Sequence, residues 1–128
     1  MAVPPVILLV EDEPAVQRVT CQYLEEAGMV CLAADNAAQA MDILGAGQVP
    51  DLLVLDVRLP DLPGPELALR IHSRYPRIPV LFVSGWVDGL ANPGTLEALA
   101  WGFLQKPYTG EALVERVRRM VPARSAAG

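Results

Sequence analysis

A doubly wound α/β sheet of five parallel strands in the order 2-1-3-4-5, with helices on both faces, is the fold this sequence predicts, and three observations predict it. Short apolar runs alternate along the chain with longer stretches of helical periodicity. The runs are apolar at every position rather than at every second one, as parallel strands covered by helices on both faces require. Carboxylate, hydroxyl and amino side chains stand directly after most of the runs, and open α/β sheets bind their ligands at the carboxyl ends of strands.

The first strand is read over residues 6–10, where Val6, Ile7, Leu8, Leu9 and Val10 follow one another. The first helix, 14–27, starts on Pro14, whose missing N–H costs nothing in a first turn, and stops at Gly28. Val16, Val19, Tyr23 and Leu24 are its expected core stripe. The second strand, 30–33, leads to a helix capped by Asn36 and running to Leu44. The third strand, 52–55, precedes a helix over 65–73 with Leu67, Leu69 and Ile71 as its stripe, ended by Tyr75 and Pro76. The fourth strand covers 80–83. Beyond it Gly85, Gly89, Pro93 and Gly94 interrupt any continuous helix, and only 95–101 reads as helical. The fifth strand is 102–104, and Thr109 opens a last helix with Leu113, Val114, Val117 and Met120 facing the core. Right-handed crossovers between such strands put helices on both sides of the sheet.

The 128 residues suffice for one domain, read as 1–122 with a flexible tail over 123–128, and 52% hydrophobic residues can cover a layered core. A net charge of -5 without a basic stripe excludes sequence-independent nucleic-acid binding, which needs clustered Lys and Arg. No apolar run approaches the ~20 residues that span a bilayer, and residues 1–5 lack the pattern of a signal peptide, so a cytoplasmic protein without membrane contact is expected. In that compartment Cys21 and Cys31, in a helix and a strand, are expected to be reduced, small buried thiols. His72, with no Cys or His at ligand spacing, is expected on a helix surface and gives no zinc-type site.

The residues after the strands carry the chemistry. Glu11 and Asp12 follow the first, Asp56 the third, Ser84 the fourth and Lys106 the fifth, while Asp35 follows the marginal second strand and falls outside the site. Three carboxylates in one crevice repel one another unless a cation neutralises them. A few carboxylates with remaining positions left to water, a carbonyl or a phosphate oxygen suit Mg²⁺, or Mn²⁺ in its place. Asp12 and Asp56 are expected as direct ligands, Glu11 through a water, and the backbone carbonyl of Arg58 as a further one. A carboxylate can also attack phosphorus and form an acyl phosphate. Lys106 can pair with Asp56 before that reaction and with a phosphoryl oxygen after it, the Ser84 hydroxyl can donate to another oxygen, and Gly85 leaves room for the group.

Together the stretches "LLVEDEP" (8–14), "DLLVLDVRLPDLPG" (51–64), "VLFVSGW" (80–86) and "FLQKPYTGEAL" (103–113) resemble the response-regulator receiver domains of two-component signalling over residues 6–121. The resemblance implies a flavodoxin-like fold and a phosphorelay role without enzyme activity beyond self-catalysed phosphotransfer and dephosphorylation. It makes Asp56 the phosphoacceptor, Glu11 and Asp12 the acidic pair, Ser84 the switch hydroxyl and Lys106 the family's lysine. It also implies that Phe103 is the switch aromatic, turning inward when Ser84 moves to the phosphoryl group, with the fourth helix, fifth strand and fifth helix as the readout face. A sensor histidine kinase or histidine phosphotransfer protein is the implied partner, with Gln17, Arg18, Cys21 and Gln22 as candidate contacts, and a homodimer on activation is a further expectation.

The broken segment after Ser84 departs from the family pattern and is closer in style to receivers attached to hybrid sensor histidine kinases. Trp86 and Arg58, two residues beyond Ser84 and Asp56, are expected to flank the phosphoryl group and slow its hydrolysis. Three other readings share parts of this pattern. A flavin carrier needs neutral donors where Glu11, Asp12 and Glu13 stand. A metal-dependent aspartyl phosphatase carries its nucleophile after the first strand. A receiver-like module that takes no phosphate would not need Asp56, Asp12, Ser84 and Lys106 together.

Overall fold

In the computed structural model the described residues are 3–85, 99 and 101–122. Five strands, β1 (Val6–Val10), β2 (Val30–Ala34), β3 (Leu52–Asp56), β4 (Val80–Ser84) and β5 (Gly102–Gln105), form one sheet. All neighbours are parallel, in the order β2-β1-β3-β4-β5. Four helices are described: α1 (Pro14–Glu26), α2 (Ala37–Gly45), α3 (Gly64–Arg74) and α4 (Gly110–Met120). The fourth helix expected over 95–101 falls outside the described residues apart from Leu99 and Trp101.

The strand period of two sorts the core onto both faces. Leu8, Val10, Leu53, Leu55, Val80 and Phe82 pack with α2 and α3, while Ile7, Leu9, Leu52, Val54, Leu81 and Val83 pack with α1 and α4. That two-sided burial is why the strands are apolar throughout. Caps match expectation: the Asn36 side chain accepts from Gln39 N and the Thr109 hydroxyl from Ala112 N. Leu113 and Val117 of α4 are buried, with Val114 and Met120 packed beside them.

Four expectations are corrected. On α1 the buried residues are Thr20 and Leu24, whereas Val19 and Tyr23 are exposed, because a single helix face cannot hold all of them and the sheet takes the Thr20 side. On α3 Leu67, Ala68 and Ile71 are buried and Leu69 is exposed, as its position two residues from both Leu67 and Ile71 on a 3.6-residue turn dictates. His72 is not a plain surface residue: its ring meets Trp101 edge-on at 5.8 Å, and Trp101 in turn meets Phe82 at 5.7 Å. Cys21 and Cys31 are not separate thiols but a disulfide joining α1 to β2, with Cα atoms 5.6 Å apart, a separation such bonds span. Helix α1 packs directly on β2, which brings the two side chains together.

Candidate functional site

Parallel strands that all point one way deliver their last residues to one edge of the sheet, and here that edge is acidic. Glu11 continues from β1, held by its N–H to Ala34 O at 3.0 Å, and Asp56 ends β3. Ser84 ends β4, and Lys106 follows β5 with its N–H donating to Ser84 O at 2.9 Å. The sequence-predicted residues Glu11, Asp12, Asp56, Ser84 and Lys106 therefore lie at neighbouring strand ends. Asp35 stands beyond them at the end of β2, as expected.

The Lys106 ammonium bridges two carboxylates, 3.0 Å from Glu11 Oε1 and 3.1 Å from Asp56 Oδ2. The second oxygen of each is also engaged, Glu11 Oε2 by Glu13 N at 3.2 Å and Asp56 Oδ1 by Arg58 N at 3.0 Å. Glu11 is only 2% exposed, Ser84 3% and Asp56 8%, while Asp12 is open to solvent. Burial pushes the Glu11 carboxyl above its ordinary range, against the backbone N–H of Glu13 and the Lys106 ammonium, which favour its charged form. Burial pulls Lys106 down, but the Glu11 hydrogen bond and the negative charge of Asp56 outweigh it and the ammonium is held above its ordinary value.

One oxygen each from Glu11, Asp12 and Asp56 lie within 4.8 Å of one another. Three hard oxygen donors at that spacing, one open to water, fit a divalent cation of the Mg²⁺ kind. Gly64 closes the site from below: it is buried at the start of α3, and its N–H donates to Val57 O at 2.8 Å. Among the described residues a Cβ on Gly85 would meet nothing within 4 Å, which leaves room beside Ser84. Arg58 is exposed, Phe103 is half-buried against the α2/α3 side of the core, and Trp86 lies outside the described residues.

Sequence reasoning missed a ring of polar contacts behind the site. Gln17 of α1 donates to Glu11 O, Ala34 O and Asp35 Oδ1, so its amide is committed to the site's frame. Asp61, in the β3–α3 loop, accepts from Ala37 N at 2.9 Å and Ala38 N at 3.0 Å, the first free N–H groups of α2. The Ala37 bond in particular holds its carboxyl below the ordinary value. No sequence signal separates an inward Gln from an outward one, and an aspartate capping a helix from another loop has no fixed spacing.

The chain's similarity to known proteins agrees with this geometry. The model of the response regulator receiver domain matches residues 7–118. The chain belongs to that family. Among relatives, the C4-dicarboxylate transport transcriptional regulatory protein DctD of Pseudomonas aeruginosa is 30% identical over 118 residues, covering 92% of this chain and 25% of that protein. The sensor kinase CckA of Brucella abortus is 32% identical over 117 residues, 90% of this chain and 12% of that protein. The chain thus spans a small part of either. Among solved structures, the receiver domain of the hybrid histidine kinase CckA is 32% identical with a TM-score of 0.76, covering 91% of this chain and 99% of that one. A CheY-like receiver from Methanospirillum hungatei JF-1, at 23% identity and a TM-score of 0.81 over 91% of this chain and 93% of that one, shares the fold. The chain is a receiver domain of two-component signalling, with a phosphoacceptor role that fits the family and the expected sheet order.

Proposed function

We propose that Asp56 is the phosphoacceptor of this receiver domain and takes its phosphoryl group from a phosphohistidine of a sensor histidine kinase or phosphotransfer protein, with Mg²⁺ or Mn²⁺ bound. The observation that carries the reading is the Lys106 ammonium shared between Glu11 and Asp56 inside a trio of carboxylates. An oxygen of Asp56 attacks phosphorus, the new O–P bond forms as the N–P bond breaks, and the departing imidazole keeps the electron pair and takes a proton. Lys106 then passes from Asp56 Oδ2 to a phosphoryl oxygen, and the Ser84 hydroxyl donates to another. Asp12 and Asp56, with the Arg58 carbonyl, would hold the cation. Glu11, whose oxygens already face Lys106 and Glu13 N, would reach it through water. The cation's contribution is charge neutralisation at the phosphoryl oxygens.

The donor's approach is set by α1. Exposed Val19 and Tyr23, with Val16, Pro107 and Tyr108, line a largely apolar groove of about 630 Å³ whose lining also includes Lys106. Arg18 and Gln22 stand exposed on the same helix, whereas Gln17 and Cys21 of the candidate contacts are tied to the domain's own frame. Such a surface suits a helical phosphotransfer partner in the cytoplasm. After transfer, movement of Ser84 draws Phe103 inward and alters the face of which β5 and α4 are the described part, through which a target or a second copy is engaged. Arg58, exposed two residues after Asp56, then limits water's access to the phosphoryl group.

Incubation with Mg²⁺ and acetyl phosphate, followed by intact-mass measurement, tests the reading. One added phosphoryl group, lost on hydroxylamine treatment and absent from Asp56→Asn, is expected. An unmodified parent chain, or an Asp56→Asn variant that gains the same mass, refutes it.

A further inference from the structure

The acidic loop after β1 must hold Asp12 near Asp56; the Lys106 ammonium grips the Glu11 carboxylate, and a second side chain, Gln17, ties the loop's backbone to its neighbours. Gln17 lies one turn into α1, and its Nε2 is 2.9 Å from Glu11 O, 3.2 Å from Ala34 O and 2.9 Å from Asp35 Oδ1. Those three acceptors belong to the ends of β1 and β2 and to the loop beyond β2. Asp35 is fixed from its other side: its Oδ2 accepts from Gln39 Nε2 at 3.3 Å, and its N–H donates to Gln39 Oε1 at 2.9 Å. Gln39 is the residue whose N–H is capped by Asn36 in the first turn of α2, the same turn that Asp61 reaches from the loop following Asp56. A continuous hydrogen-bonded path thus runs from the backbone of Glu11, through Gln17, Asp35, Gln39 and α2, to the β3–α3 loop.

We infer that Gln17 is a positioning residue for the divalent cation: by clipping the Glu11 carbonyl to the end of β2 it sets where Asp12 stands relative to Asp56. The inference rests on the reading of Glu11, Asp12 and Asp56 as the cation site. Gln17 suits the place because the two N–H groups of a neutral amide, one of them shared, reach three oxygens without adding positive charge that would compete with a metal ion. Glutamate at this position would put a carboxylate against two carbonyls and Asp35. A side chain without donors would leave the acidic loop held by the Glu11 N–H to Ala34 O bond, the Glu13 N–H to Glu11 Oε2 bond and the Lys106 ammonium on Glu11 Oε1, none of which fixes the Glu11 carbonyl.

The test is direct binding of Mn²⁺ to the full chain, read by the loss of the free-ion electron paramagnetic resonance signal. Gln17→Met keeps the length and volume of the side chain and removes its donors. Its Mn²⁺ dissociation constant is expected to rise about tenfold, the lower end of what loss of a contact supporting a metal ligand costs. Gln48→Met, an exposed amide in the α2–β3 loop, should leave binding unchanged. Phosphorylation by acetyl phosphate should need correspondingly more Mg²⁺ for half-maximal rate while reaching the parent rate at saturation. A merely structural role would lower the maximal rate and the urea midpoint without moving the metal requirement. Should Gln17→Met not fold, Asp35→Ala, which removes the outer acceptor of the same path, carries the test with a rise of about threefold or more expected. A parent chain that binds no Mn²⁺ overturns the cation site itself. A parent that binds, with a folded Gln17→Met binding within twofold of it, overturns the positioning role alone.

Discussion

Gly64→Ala places a methyl group where the phosphoacceptor's own backbone already sits. A Cβ built on Gly64 would press on Asp56 O and stand 3.0 Å from Val57 Cα and 3.1 Å from Asp56 C. All three atoms are backbone, so no flexible side chain can swing aside. Either α3 retreats from β3 or the peptide after Asp56 rotates. Overpacking of this kind costs about 1–3 kcal/mol, against which alanine regains up to about 1 kcal/mol of backbone entropy in a helix. A net loss of about 1–2 kcal/mol is expected, read as a lower urea midpoint at unchanged slope. The slope matters, because a change in it would report a different unfolded state instead. Gly45→Ala is the matched control: it ends α2, a Cβ there meets nothing within 4 Å, and it should gain about 0.5–1 kcal/mol. Because Asp56 O moves with the carboxylate that Lys106 holds, phosphorylation of Gly64→Ala by acetyl phosphate should fall about tenfold or more, displacements near 1 Å being that costly to aligned reactions. A variant as stable as its parent to about 0.5 kcal/mol, or one that loses stability with an unchanged rate, would show that the α3 start yields without touching Asp56 and would refute the argument.

Two other measurements follow from the structure. Glu11 has a carboxyl raised above its ordinary 4.5 by burial, so the folded state holds that proton more tightly than the unfolded chain does. Its contribution to stability is present below pH 4.5 and is lost as pH rises through the raised value, so the urea midpoint of Glu11→Gln minus that of the parent should climb across that interval; a flat difference would contradict the burial argument. The Cys21–Cys31 bond closes a loop between residues separated by 10 positions, and the chain-entropy relation assigns such a closure about 2.7 kcal/mol. The double variant Cys21→Ala/Cys31→Ala should lose roughly that much, and the unreduced, unfolded parent should show no titratable thiol; two reactive thiols would remove the bond.

What was legible in the sequence was whatever the sheet dictates. Strands buried on both faces must be apolar at every position, so their places could be read, and parallel order then forces Glu11, Asp56, Ser84 and Lys106 to one edge whatever the loops do. Helix direction was less legible, since an apolar residue on a helix is free to face a neighbour or solvent. Val19 and Tyr23 look like core beside Val16 and Leu24, yet the sheet buries Thr20 and leaves those two beside Pro107 and Tyr108. The same ambiguity hid the inward turn of His72 toward Trp101 and the meeting of Cys21 with Cys31, both of which depend on which element lies across the gap.

The site's polar frame was the least legible part, for a reason that bears on how it works. Hydrophobic residues announce a face by repetition, whereas Gln17, Gln39 and Asp61 each act once, on a partner 24 residues away in the case of Asp61 and Ala37. Their acceptors and donors are mostly backbone groups at strand ends and a helix start, positions whose identity no side chain records. The residues that would touch a phosphoryl group therefore form a recognisable set, while the residues that hold them there carry no pattern of spacing and emerge only in the folded structure. Glu11 illustrates the division: its charge could be anticipated after β1, but its burial beneath Lys106, with Asp12 left open beside it, follows from the Gln17 and Ala34 contacts that draw the first acidic residue inward and leave the second at the rim.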